Sequence, residues 1–118
     1  MNYTTTSKIA VTEKSSSCAI SKAAKLVGDI WTLLIIKELL ASNKRFCELQ
    51  DSLFQPNKET KISSKTLAQR LKLLEAENII NRRVFSGIPV RVEYSLTQKG
   101  KDLSDTIQAL YNFGTKYM

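Results

Sequence analysis

The stretch from Ile62 to Thr97 constrains the fold of this chain more than any other part of it. In its first half Leu67, Leu71 and Leu74 recur at helical spacing, and Ser63 or Ser64 stands where a helix cap belongs. In its second half Ile80 to Phe85 and Val92 to Leu96 are rich in β-branched and aromatic residues. Ser86-Gly87-Ile88-Pro89-Val90-Arg91 separates them, so the pair reads as a hairpin whose loop is wider than a tight turn. Val92, Tyr94 and Leu96 fall on one face of the second strand, and Glu93 and Ser95 on the other. A one-sided helix followed by a one-sided ribbon requires a shared core, which the rest of the chain must supply.

The outer side of this unit is basic. On a 3.6-residue wheel Lys65, Gln69 and Lys72 lie opposite the leucine stripe, with Thr66 beside them. Arg70 sits nearer the flank of the stripe, within reach of either a phosphate or an acidic neighbour, and Leu73 points off it. Between positions 58 and 91, Lys58, Lys61, Lys65, Arg70, Lys72, Arg82, Arg83 and Arg91 face only Glu59, Glu75 and Glu77, a balance of +5 within a total of +7. Basic charge gathered in this way is the footprint of a polyanion partner, although a charge run is also an ordinary solvated face. A helix of this kind can enter a DNA major groove while a ribbon lies on the neighbouring backbone.

The flanking segments supply the core. Residues 1–17 are rich in Ser, Thr and Lys and read as a flexible arm, with the apolar run Ile9-Ala10-Val11 too short for a signal peptide or membrane span. The expected setting is therefore cytoplasmic, with no membrane partner, and residues 18–118 form the single remaining domain. Ile20, Ala23, Ala24 and Val27 mark a first helix that Gly28 ends. After Asp29 comes Ile30 to Leu40, apolar on nearly every side and so expected to be the buried central helix. Trp31 within it reads as core rather than as part of a ligand pocket.

Phe46, Leu49 and Leu53 predict a short third helix, and Phe54 to Lys61, interrupted by Pro56, reads as a loop. Asn78 suits the left-handed residue that closes the basic helix. Thr97 is expected to cap one last helix, along which Leu103, Ile107, Leu110, Gly114 and Tyr117 recur, with Tyr111 and Phe113 alongside. So long an apolar stripe invites a second copy of the chain. Helix, helix, helix, basic helix, hairpin and helix assemble most economically as a winged helix-turn-helix: mainly α with a small β-hairpin wing, dimerising through its terminal helices. The rival is a small α+β domain in which the hairpin is only a lid.

Arg45-Phe46-Cys47-Glu48-Leu49, Ile62-Ser63 with Leu67, Gln69-Arg70-Leu71 and Leu74-Glu75, then Arg82, then Pro89-Val90-Arg91-Val92-Glu93-Tyr94-Ser95-Leu96-Thr97 with Gly100, resemble the HxlR-type transcriptional regulators, of the MarR-like superfamily. The resemblance runs from Cys18 to about Gly114. It departs from the family pattern at Ala19, Asp29, Ile30 and Val90, and in a 54–61 loop a few residues longer than usual. It implies a winged-helix homodimer that binds double-stranded DNA at a near-palindromic operator; repression is the usual mode for such a binder, because an operator overlapping a promoter excludes polymerase, with activation the alternative.

Family and helical wheel together assign the chemistry. Lys65 and Gln69, with Thr66, are candidates for base edges, lysine towards guanine acceptors and glutamine towards adenine. Ser63, Ser64, Arg70, Lys72, Arg82, Arg83 and Arg91 are candidates for phosphates, which give affinity without sequence information. Ile20, Leu103, Ile107, Leu110, Tyr111, Gly114 and Tyr117 are candidates for the dimer interface. Some members of the family sense oxidants through a cysteine where Cys18 stands, at a helix start that favours thiolate, and Cys47 is a candidate resolving partner. The bland reading of Cys18 is a small apolar residue. Two cysteines and no histidine offer no zinc site or disulfide scaffold, and no phosphate loop or carboxylate cluster points to an enzyme or a cofactor. The other class of function is a protein-interaction module that keeps the winged fold but turns its basic face and apolar C-terminal stripe to a protein.

Overall fold

A computed structural model of the chain describes residues 18–55 and 60–118. The arm at 1–17 and the middle of the 54–61 segment lie outside the described residues. The chain divides into two compact units, one ending at Ile30 and one running from Trp31 to Met118.

In the first unit Cys18 is the N-cap residue of α1 (Ala19–Val27), which Gly28 closes by donating its N–H to the Ala24 carbonyl at 2.8 Å. Gly28 has φ −78°, so the helix stops without the left-handed turn expected of a terminal glycine. No residue of α1 is buried. The apolar stripe of this helix is largely exposed: Ile20, Ala23 and Ala24 face solvent, and Val27 is half-buried.

The second unit is built on α2 (Ile30–Ala41), whose first residue closes the preceding unit and whose Thr32, Ile35, Ile36 and Leu39 are buried. Trp31 is half-buried rather than enclosed. Lys44–Arg45 form a short strand, β1, that the sequence did not announce. Next comes α3 (Phe46–Ser52), with Leu49 and the following Leu53 buried. The Arg45 N–H donates to Glu48 Oε1 at 2.8 Å, satisfying a backbone donor at the start of this helix.

The segment expected to be a plain loop is a ribbon at its base: β2 (Phe54–Gln55) pairs antiparallel with β3 (Thr60–Lys61). The helix ends at Ser52, and the ends of the insertion meet because Leu53 and Ile62 are both buried and the Ile62 N–H donates to the Leu53 carbonyl at 3.0 Å.

Next, α4 (Ser64–Ala76) buries Leu67, Leu71 and Leu74, each at most 3% exposed. Full burial of each such side chain stabilises by roughly 1.5–3 kcal/mol, enough to fix which face of α4 is outward. Asn78 takes φ 60°, and the Ile79 N–H donates to the Leu74 carbonyl at 2.9 Å, which turns the chain into the sheet.

Strands β4 (Ile80–Phe85) and β5 (Arg91–Leu96) pair in full register, Ile80 with Leu96 through Phe85 with Arg91. β1 adds to the far edge of β5, giving a three-stranded antiparallel sheet in the order β1-β5-β4 rather than a two-stranded ribbon. Ile79, Ile80, Tyr94 and Leu96 bury the root of the hairpin beneath α4, and residues 86–90 form an exposed wing tip.

The C-terminal helix is two helices. Thr97 caps α5 (Gln98–Lys101), its Oγ1 accepting from the Gly100 N–H at 3.1 Å, and α6 (Ser104–Tyr117) follows. The break has a steric reason: buried Gly100 packs against the Ile79 carbonyl, which pins α5 to the sheet and lets the chain turn before α6. The result is a winged helix-turn-helix with α3 and α4 as its helix pair and β4–β5 as its wing.

Candidate nucleic-acid interface

Lys65, Gln69 and Lys72 are exposed together on the face of α4 opposite its buried leucines. The start of this helix is fixed by hydrogen bonds. Ser63 Oγ accepts from the Thr66 N–H at 3.1 Å and lies 2.9 Å from Thr66 Oγ1. Thr66 is thus half-buried and engaged in the cap, less available to a base edge than Lys65 or Gln69. Ser64 Oγ accepts from Gln50 Nε2 at 2.8 Å, a direct tie between α3 and α4 that sets the angle of the helix pair. Gln50 was not singled out in the sequence, where a polar residue on a short helix carries no mark. Lys61 pairs with Asp51 at 2.9 Å, fastening the base of the insertion to α3.

The wing arginines divide between the two sides of the ribbon, as strand alternation requires. Arg82 stands opposite Tyr94, on the side towards α4, and Lys72, Arg82 and Glu75 line a cleft of about 350 Å³ floored by Phe46, Leu71 and Tyr94. Arg83 and Arg91 lie on the other side, each with its guanidinium carbon 4.9 Å from the centre of the Phe85 ring. Such contacts contribute roughly 0.5–1 kcal/mol apiece at exposed sites.

What distinguishes the cations of α4 and the wing is their grouping, since Lys22, Lys25, Lys44, Lys99, Lys101 and Lys116 also lack an ion pair among the described residues. Lys37, Arg45 and Lys61 each have a carboxylate within 4 Å. Among the described residues Lys65, Lys72, Arg82, Arg83 and Arg91 form no such ion pair. Arg70 is half-buried and already engaged in an interaction of its own. Five unpaired cations on adjoining parts of one helix and one wing attract a polyanion in register with the fold, which scattered surface lysines would not do.

The remaining candidates lie elsewhere. Cys18 is buried and Cys47 exposed, so the residue expected to need solvent access lacks it. Cys47 borders an open hollow of about 660 Å³ between the start of α3 and the wing tip. On α6, Leu110, Tyr111 and Tyr117 are exposed, with Phe113 beside them, while Leu103, Ile107 and Gly114 are half-buried. Leu73, which lies off the leucine stripe, is 58% exposed on α4. Among the described residues no His, Cys, Asp or Glu cluster could hold a metal, and no helix is long and apolar enough to cross a membrane.

Comparison with known proteins agrees with this geometry. The chain matches the HxlR-like helix-turn-helix family over residues 26–118. It is 36% identical over 106 residues to an HTH-type transcriptional regulator of Synechocystis, covering 90% of this chain and 74% of that one. The crystal structure of a MarR-family regulator from Porphyromonas gingivalis superposes with TM-score 0.79 at 29% identity, covering 92% of this chain and 99% of that one. The oxidised form of the redox regulator HypR superposes with TM-score 0.75 at 27% identity, covering 86% and 98%. The chain therefore belongs to the HxlR-like family of winged helix-turn-helix proteins.

Proposed function

We propose that this helix-turn-helix transcriptional regulator binds a near-palindromic operator as a homodimer and represses by occluding the promoter it overlaps. The carrying observation is the set of outward cations on α4 and the wing that form no ion pair among the described residues, Lys65, Lys72, Arg82, Arg83 and Arg91, with Gln69 beside them on α4. In this reading α4 lies in the major groove. Lys65 donates to guanine acceptors and Gln69 takes an adenine edge, each such contact discriminating by about 1–3 kcal/mol. Lys72 and Arg82, sharing one cleft, hold the strand that passes between helix and wing.

Dimerisation rests on α6, whose exposed Leu110, Tyr111, Phe113 and Tyr117 gain by leaving water, and on exposed Ile20 of α1. A two-fold dimer sets its two α4 helices about one DNA turn, roughly 34 Å, apart. The test is a pair of substitutions assayed on an operator selected from genomic fragments and on unrelated duplexes. Lys65→Ala relaxes sequence preference, whereas Arg91→Ala weakens every duplex by the same factor. Equal losses on every duplex from both variants would remove Lys65 from base reading.

The likeness to a redox regulator supports a response to oxidants or electrophiles through Cys18, with Cys47 as its partner. Burial of Cys18 makes that response slow, because the start of α1 must open before the thiol can react. Oxidant then shifts operator affinity of the wild type and leaves Cys18→Ser unaffected; a Cys18→Ser variant that still responds excludes Cys18.

A further inference from the structure

We propose that Phe85 is a positioning residue that holds Arg83 and Arg91 as a two-guanidinium clamp for the phosphates of a nucleic-acid strand. Strand alternation puts Arg83 and Phe85 on one side of β4, and pairing sets Arg91 opposite Phe85 and Glu93 opposite Arg83. Both guanidinium carbons stand 4.9 Å from the same ring centre, so they are at most twice that distance apart. A leucine or valine would fill the same half-buried strand position. Only a ring offers a face that attracts a cation.

Two like charges gathered on one ring repel, and the nearest carboxylate in register does not relieve them. Glu93 Oε1 instead accepts from Asn43 Nδ2 at 3.4 Å, across on the β1 side, and neither arginine forms an ion pair among the described residues. A planar fork of donors held in one place before binding loses less freedom when it meets phosphate oxygens, and two such forks can take neighbouring phosphates of one strand. The wing then carries a preformed anion site at β4 and β5, separate from the Lys72–Arg82 cleft on its other side.

This inference rests on the duplex-binding reading above. It is tested with the full chain and a mixed-sequence duplex, measuring affinity against salt for wild type, Phe85→Leu and Phe85→Tyr. Loss of the clamp from both protomers, two contacts in each, makes the log–log salt slope shallower by up to about 3.6 in Phe85→Leu, since each phosphate contact contributes about 0.9. Phe85→Tyr, which keeps a ring, retains the wild-type slope. In an Arg83→Ala/Arg91→Ala background Phe85→Leu changes nothing further. A wild-type slope in Phe85→Leu, or an equal loss in both backgrounds, overturns the clamp while leaving duplex binding intact; a wild type that binds no duplex overturns both. Should Phe85→Leu not fold, NMR of the free wild type decides: ring currents shift the Nε–H protons of Arg83 and Arg91 upfield relative to Arg82, and unshifted protons overturn the proposal.

Discussion

Gly100→Ala tests the packing that joins the wing to the C-terminal helices. Two effects of opposite sign compete. Alanine is favoured over glycine in a helix by about 1 kcal/mol, and position 100 lies within α5. Against this, a Cβ at position 100 would collide with the Ile79 carbonyl oxygen and come within 2.9 Å of Leu96 Cδ2 and 3.2 Å of Ile79 Cγ2. A leucine methyl can rotate aside, but the carbonyl is backbone at the entrance to β4. It also accepts the Thr97 N–H at 2.9 Å, and Thr97 Oγ1 stands 3.1 Å from it. Relieving the clash moves α5 away and strains those bonds, each contributing about 0.5–1.5 kcal/mol, on top of about 1–3 kcal/mol for overpacking. The loss wins, with a net destabilisation of about 1–5 kcal/mol. Urea denaturation followed by far-UV circular dichroism measures it, with an unchanged m-value expected because the same surface unfolds. A Gly100→Ala variant as stable as wild type, or more stable, would refute the packing argument.

Three further outcomes follow from the same geometry. The Arg45 backbone N–H bond holds the Glu48 carboxyl below its ordinary 4.5, with the Arg45 side chain a lesser cause. A depressed pKa means that the cap on α3 contributes fully at neutral pH and fades as pH falls below about 4.5 through the folded-state value. NMR titration of Glu48 checks this, and Arg45→Ala should keep most of the depression; a midpoint at the ordinary value in wild type contradicts it. Leu110→Glu, at an exposed site, changes folding of one chain little but halves the mass seen by sedimentation; an undiminished dimer would remove α6 from the interface. Gln50→Ala breaks the tie to Ser64 and costs under about 1.5 kcal/mol of stability, yet it lowers operator affinity by misaiming α4. Wild-type affinity would show that this bond does not set the angle.

Elements whose periodicity is set by burial were legible in the sequence. Leu67, Leu71 and Leu74 announced α4 and its outward face, and the alternation of Val92, Tyr94 and Leu96 announced β5. What stayed hidden depends on partners distant in the chain. Lys44–Arg45 has no strand signature of its own and is a strand only because the edge of β5 lies beside it. The 54–61 segment closes into a ribbon because the buried residues at its two ends meet. The break between α5 and α6 comes from Gly100 meeting Ile79, some twenty residues away, against a helical stripe that looked continuous. For the stripe of α1, apolar periodicity told that there is a helix with a face that seeks burial, not whether its own chain supplies the cover. At the interface, Lys65, Gln69 and Lys72 could be placed by a wheel alone. Thr66's role in the cap, Arg82's separation from Arg83 and Arg91, and the ring that gathers those two required pairing register and side-chain contacts.

The central claim, that α4 and the wing form a phosphate-binding surface, is tested most directly by the salt dependence of duplex affinity. Fluorescence anisotropy of a labelled duplex between roughly 50 and 200 mM salt spans the useful range. If Lys72, Arg82, Arg83 and Arg91 of both protomers each hold a phosphate, log affinity falls against log salt with a slope approaching about −7. A slope near zero, or no duplex retained even at the lowest salt, would contradict the account.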